Sequence, residues 1–397
     1  MLKNKINALL LASVMAMFAA CSDEDPKPEP PIVGPIPPLD TIVPPPVDTI
    51  FPVDFNFISL NKTGNSGDGV SSISYIKKDG TILLDYFKET NGEQIADRLN
   101  SATQIEDKLY IVQNNHWTSN NIQVLDPNTL KRLTKFEFNK DLKPYDLEHL
   151  GGDSVVVVGL EFNKEINLLI GNLKAEEFIQ RSFNTDFFLS RALKIGNKLI
   201  VGGPTYQKDG QFFDSKLAIF DINNISNDGM RIIHDQMNLF NSNADFLVDK
   251  NGKIWFIANK ENTLICFCLD PETEKIVKAV SLPTSISPHN ELSYTLDNTG
   301  STLYIRSHKA FFTIDIDNPT TPDDPVYEYR TTVAQLSDLK ITKEGTLLVI
   351  NEIKSSQFKG SKILEFKPST TAAWTITKEY ELPHTIASSI YVAKYEK

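Results

Sequence analysis

One pattern recurs from Phe55 to the C-terminus. A turn of Gly, Asn, Asp and Lys leads into a short apolar strand, then a variable loop, a second strand ending in an acidic residue, a turn and a third strand. The clearest copies of the first strand are Asp107-Lys108-Leu109-Tyr110-Ile111-Val112, Gly196-Asn197-Lys198-Leu199-Ile200-Val201 and Gly252-Lys253-Ile254-Trp255-Phe256-Ile257. Those of the next strand are Ile122–Asp126, Leu217–Asp221 and Ile265–Asp270. Copies start at about 108, 154, 198, 253, 302 and 346. The segments are β-branched and aromatic, not 3.6-periodic, so they predict strands and exclude a helical solenoid. Short strands between turn residues, repeating at this interval, predict a β-propeller.

A seventh blade is predicted across the termini. Phe55–Leu60 reads as its second strand, Ser71–Ile76 as its third and Ser388–Ala393 as its first. Closing the ring in this way removes the edges an open array would expose. Residues 53–397 shared among seven blades give about 49 per blade, within the propeller range. The fold expected is therefore all-β, a seven-bladed propeller over residues 53–397, closed by its own two ends.

Residues 1–20 read as a signal peptide. Lys3 and Lys5 precede an apolar stretch too short to span a bilayer, ending Phe18-Ala19-Ala20-Cys21. Small residues before a cysteine resemble a lipobox, which would make Cys21 the lipidated N-terminus; a plain secretory signal cut near Ala20 is the alternative. Ser22-Asp23-Glu24-Asp25 resembles a surface-export signal of Bacteroidota lipoproteins. The predicted location is the outer membrane, anchored by lipid and exposed at the cell surface. Residues 21–52 form an acidic, Pro-rich tether, with 11 of the chain's 22 prolines between Pro26 and Pro52. Extended polyproline II of that length reaches about 80 Å, so a disordered stalk is expected rather than a domain.

A net charge of −11 argues against nucleic acid as a partner. Three cysteines exclude a disulfide scaffold. Cys266 and Cys268 share one face of a strand and are expected to be buried free thiols. Asp126-Pro127-Asn128-Thr129 and Asp270-Pro271-Glu272-Thr273 read as turns between third and fourth strands, and Asp249–Gly252 and Asp297–Gly300 as hairpin turns. No nucleophile elbow, zinc-protease helix or phosphate loop is present, so neither a catalytic residue nor a cofactor is assigned, and no enzyme activity is expected.

In a propeller, the loops between second and third strands and those between blades share one face. The repeat puts Asn114, Asn115, His116, Trp117 and Tyr206 on that face, with Tyr145, Arg191, Asn241, His289 and Asn290 from the connections between blades. Aromatic rings among amides suit a polyfunctional small molecule. A metal site from His116, His289, His308 and His384 is a weaker reading.

Phe57–Lys62, Ser71–Tyr75, Asp85-Tyr86-Phe87, Asn91-Gly92 and Lys108–Val112 resemble, in order, the opening of the YncE-like family of Bacteroidota surface-lipoprotein propellers. The resemblance covers residues 55–397, with later blades matching mainly as strand patterns. Members of the BtuG type capture cobalamin and cap a TonB-dependent outer-membrane transporter. The resemblance implies a surface protein that binds a nutrient, with a corrinoid as leading candidate, and delivers it to such a transporter. Two other readings stay open. One is a lactonase-type propeller with a channel metal held by Glu161, Asn163, Asn241, Asn259 and Glu352. The other is a non-catalytic adhesion protein.

Overall fold

The computed structural model describes residues 55–62, 71–95, 99–114, 120–138, 142–161, 166–183, 191–206, 212–226, 228–237, 245–260, 263–286, 292–307, 310–322, 324–328, 336–354, 359–369, 374–383 and 385–392. They form seven four-stranded antiparallel sheets arranged as the blades of a seven-bladed β-propeller. Blade 2 contains β4 (Leu99–Ile105), β5 (Lys108–Gln113), β6 (Asn120–Leu125) and β7 (Arg132–Phe138). Blade 3 contains β8 (Leu142–Gly151), β9 (Ser154–Glu161), β10 (Ile166–Asn172) and β11 (Glu177–Phe183). Blade 4 follows with β12 (Arg191–Ile195), β13 (Lys198–Tyr206), β14 (Phe212–Asp221) and β15 (Arg231–Met237). Blade 5 has β16 (Leu247–Val248), β17 (Ile254–Lys260), β18 (Thr263–Asp270) and β19 (Lys275–Ser281). Blade 6 is built from β20 (Leu292–Leu296), β21 (Thr302–Ser307), β22 (Ala310–Asp315) and β23 (Tyr327–Glu328). Blade 7 comprises β24 (Leu336–Ile341), β25 (Leu347–Lys354), β26 (Lys359–Lys367) and β27 (Thr375–Pro383).

Blade 1 closes the ring. Its order is β28 (Ile386–Tyr391), β1 (Phe55–Lys62), β2 (Ser72–Lys77) and β3 (Ile82–Leu83), so the last strand of the chain pairs with the first. The register runs from Ile58 opposite Tyr391 to Lys62 opposite Ile386. The expected closure is therefore observed, with the strand two residues earlier than its sequence assignment.

The core consists of seven wedges, one between each pair of neighbouring blades. This explains the unbroken apolar run within the second strands. In β9, Val155 and Val157 enter the wedge toward blade 2, whereas Val156 and Val158 enter the wedge toward blade 4. In β5, Leu109 and Ile111 face blade 1 while Tyr110 and Val112 face blade 3. Alternation along a strand thus splits an unbroken apolar run between two interfaces, both buried. Fourth strands have one wet face, and β7 alternates between half-buried and exposed along its whole length.

The turns behave as their residues dictate. Asp126 Oδ1 accepts from the backbone N–H of Asn128 and Thr129 at 2.8 and 2.9 Å. Asp249 Oδ1 accepts from Asn251 and Lys253 N–H, and Asp249 Oδ2 accepts from buried Trp255 Nε1 at 2.8 Å. Gly300, at φ 68°, packs against the turn of blade 5, where a Cβ would meet Lys250 N at 2.6 Å. Only glycine fits both the left-handed backbone and that approach. A short helix, α1 (Tyr86–Asn91), follows β3 and was not expected; Asn91 fastens it to blade 2 by donating to Leu130 O and accepting from Arg132 N–H. Among the described residues, no helix is long and apolar enough to cross a membrane.

Cys266 and Cys268 are buried free thiols of the wedge between blades 5 and 6. Burial pushes both up, Cys268 to about 11. A thiol kept protonated and covered reacts slowly. Native protein at pH 8 should therefore leave both cysteines unmodified by a disulfide reagent, and denatured protein should release both. Rapid labelling of Cys266 or Cys268 in a native Cys21→Ser variant would contradict this packing.

Candidate functional site

The first strands of the blades neighbour one another around the axis. Their N-terminal ends, the ends of second strands and the starts of third strands gather at one face: Leu99 lies opposite Gln113, and Gln113 opposite Asn121. Here the strands turn polar while staying buried. Asn61 donates to Ser72 and Ser74 hydroxyls in blade 1. Gln113, Asn114, Asn120, Asn121 and Gln123 are all buried in blade 2. Gln123 Nε2 donates to Asn121 Oδ1 at 2.9 Å and to Gln113 Oε1 at 3.3 Å. Five buried atoms near this face have no partner among the described residues: Gln113 Nε2, Asn114 Oδ1, Gln123 Oε1, Ser293 Oγ and Asn351 Oδ1.

Inside the ring runs a belt of polar contacts between blades. Tyr391 donates to Gln104 Oε1 at 3.2 Å, joining blades 1 and 2. Thr103 Oγ1 donates to Leu147 O at 3.2 Å, joining blades 2 and 3. Carboxylates on β8 accept from the next blade, Asp146 from Ala192 N–H at 3.2 Å and Glu148 from Lys194 N–H at 2.9 Å. Asp338 Oδ2 accepts from Ile390 N–H and the Ser389 hydroxyl, both at 2.8 Å, joining blades 7 and 1.

Asp245, just before β16, is the centre of this belt. Arg191 Nε approaches Asp245 Oδ1 at 3.4 Å from blade 4, and Lys340 Nζ donates to Asp245 Oδ2 at 2.7 Å from blade 7. The second contact reaches past blade 6, whose Tyr294 hydroxyl donates to Asp245 O at 2.7 Å. Burial opposes the charge of Lys340, but the carboxylates of Asp245 and Asp338 outweigh it and hold the ammonium well above its usual value. Tyr294 is pushed up chiefly by burial.

Asp146 is half-buried by accessible area yet surrounded by protein, as expected on a channel wall. Burial raises its carboxyl, and Asp245 adds to the rise, while the Arg191 guanidinium and the Ala192 N–H bond pull against it. A carboxyl raised on folding binds more protons in the native state, so stability falls as pH climbs from the ordinary carboxylate value through the native one. Asp146→Asn keeps an acceptor for Ala192 and removes the titration. Between pH 4 and pH 7 the urea midpoint of this variant should rise relative to that of the parent; a difference that does not vary with pH would remove Asp146 as the cause.

Of the residues expected to bind ligand, Asn114 is buried at the end of β5 with its oxygen unpartnered. Arg191 faces Asp245 in the belt. Tyr145 packs on the apolar wedge between blades 3 and 4. Tyr206 lies on β13 opposite Phe212. Asn115, His116, Trp117, Asn241, His289, Asn290 and the lipidation candidate Cys21 lie outside the described residues, as do His308, His384 and Asn163. Glu161, Asn259 and Glu352 occupy the ends of second strands β9, β17 and β25. Among the described residues, no group of three or more His, Cys, Asp or Glu could hold a metal ion. Sequence reasoning passed over Gln113, Gln123, Asp146, Asp245, Asp338 and Lys340. The one available signal was Asp338-Leu339-Lys340, two opposite charges on one face of a short first strand.

The profile of a family described as "Domain of unknown function (DUF5074)" matches residues 61–343. No curated protein matches the chain. Among solved structures, a quinonprotein alcohol dehydrogenase-like protein of Bacteroides thetaiotaomicron is 14% identical, with a TM-score of 0.62 over 85% of this chain and 78% of its own. Two candidate 6-phosphogluconolactonases, of Bacteroides uniformis and Bacteroides fragilis, are 12% and 15% identical, with TM-scores of 0.56 and 0.57. They align over 85% and 86% of this chain and 99% of their own. At these identities the likeness is one of fold.

Proposed function

Given that this chain belongs to the DUF5074 family, we propose that it is a non-catalytic binding propeller that captures a small, polyfunctional nutrient on its loop-bearing face. The observation that carries this reading is the set of orphaned buried polar atoms there, Gln113 Nε2, Asn114 Oδ1, Gln123 Oε1, Ser293 Oγ and Asn351 Oδ1. A buried donor or acceptor left unpaired costs about 1–3 kcal/mol. A ligand rich in amides or hydroxyls, with ordered water filling the gaps, supplies the missing partners. The Cys21 lipid anchor and the tether of residues 21–52 would hold the propeller at the cell surface. There it would pass its cargo to a TonB-dependent outer-membrane transporter. A corrinoid is the first cargo to test.

The test is a titration of the purified protein with cyanocobalamin, following heat and tryptophan fluorescence. Saturable binding at one site is expected, weakened at least about tenfold, or 1.4 kcal/mol, by Trp117→Ala and by Asn114→Ala. No signal at high micromolar ligand eliminates the corrinoid, and the transporter that co-purifies with the protein then identifies the cargo class. The lactonase reading rests on Glu161, Asn259 and Glu352 sharing one face. Calcium-dependent hydrolysis of a lactone, lost in Glu352→Gln, would replace the binding reading with that one.

A further inference from the structure

Two cations from different parts of the ring converge on one carboxylate just before the shortest first strand described. Arg191 and Lys340 stand on β12 and β24, of five and six residues. Asp245 precedes β16, which has two residues and, among the described residues, pairs through Leu247 and Val248. Its side chain is also the most solvent-accessible of the three, at 34% against 29% for Lys340 and 11% for Arg191. Two cations on longer strands facing a partly accessible carboxylate describe an anion site in which the chain supplies its own occupant.

We infer that Arg191 and Lys340 form an anion cradle at the floor of the binding face, taking a carboxylate or phosphodiester of the ligand in the place of Asp245. This deepens the binding reading and rests on it. Each cation keeps a second carboxylate: Asp146 acts on Arg191, and Asp338 Oδ1 lies 3.8 Å from Lys340 Nζ. An incoming monoanion takes over the contacts of the Asp245 side chain at the cost of one added negative charge, and a dianion at the cost of two, so the site favours the monoanion. The planar guanidinium and the point-like ammonium together suit a two-oxygen anion. Low local dielectric makes such contacts strong once water is displaced.

The experiment measures binding of acetate, dimethyl phosphate and inorganic phosphate to the full chain, its Asp245→Asn variant and the Asp245→Asn/Lys340→Met double variant. Asp245→Asn should bind acetate or dimethyl phosphate at least about tenfold more tightly than the parent. The double variant should lose that gain. Whichever monoanion binds better identifies the ligand's anionic group. No gain in Asp245→Asn, or tighter binding of the phosphate dianion than of either monoanion, overturns the cradle. Should Asp245→Asn fail to fold, the Arg191 Nε–H resonance of the parent protein decides: a saturable shift with acetate that Lys340→Met abolishes supports the cradle, and its absence overturns it. If the anions bind while cyanocobalamin does not, the corrinoid fails alone. If cyanocobalamin binds and the anions do not, the cradle fails alone.

Discussion

Ending the chain after Thr385, which removes β28, should abolish cooperative folding. The strand supplies the whole inner edge of blade 1, pairing Ile386–Tyr391 against Ile58–Lys62. It also buries Ala387, Ile390 and Tyr391 and accounts for the bonds to Asp338 and Ser361. Burying three such side chains contributes on the order of 5 kcal/mol, comparable to the total stability of many proteins. Its loss also leaves β1 as an open edge, and open edges associate. The truncated protein should elute as aggregate and lose its sigmoidal urea transition. A monomer that unfolds cooperatively within about 1 kcal/mol of the parent would show that six blades and a fragment suffice.

Phe311→Ala should cost about 3–5 kcal/mol. The ring is fully buried on the third strand of blade 6 and faces blade 7. It lies 5.3 Å from Phe366, 5.4 Å from Trp374 and 6.1 Å from Tyr327 by ring centroid, so its removal opens a cavity among three aromatics. The wedge cannot close that gap, because each wall is a hydrogen-bonded sheet. Leu133→Ala on β7 is the matched control: Leu133 is 51% exposed, and the change should stay within about 0.5 kcal/mol. Urea denaturation measures both. A Phe311→Ala cost below about 1 kcal/mol would mean the wedges are loosely packed.

The strands most legible in sequence are those buried on both faces. Leu109–Val112, Leu199–Val201 and Ile254–Ile257 stand out because two neighbouring wedges demand apolar residues at every position. The Asp-Pro turns were legible because the chemistry is local, with Asp126 bonding residues two and three positions ahead. The outer strands β3 and β23 and the inner strand β16 were not, being two residues long and held by their neighbours rather than by any pattern of their own. Helix α1 is short for the same reason: Phe87 is buried against blades 1 and 2, and the rest is ordinary turn sequence.

The site divides along the same line. The sequence by itself determined the repeat, the number of blades, the closure through the two ends and the face on which the variable loops gather. All of these follow from strand period, turn residues and spacing. Only the tertiary structure decided which polar residues matter on that face. Asp245 and Lys340 are 95 positions apart and meet past an intervening blade. Gln113 and Gln123 read as ordinary strand amides until the sheet buries them and leaves Nε2 of one and Oε1 of the other without partners among the described residues. Ion pairing and desolvation depend on distances through space, and a ring brings together residues that no local pattern relates.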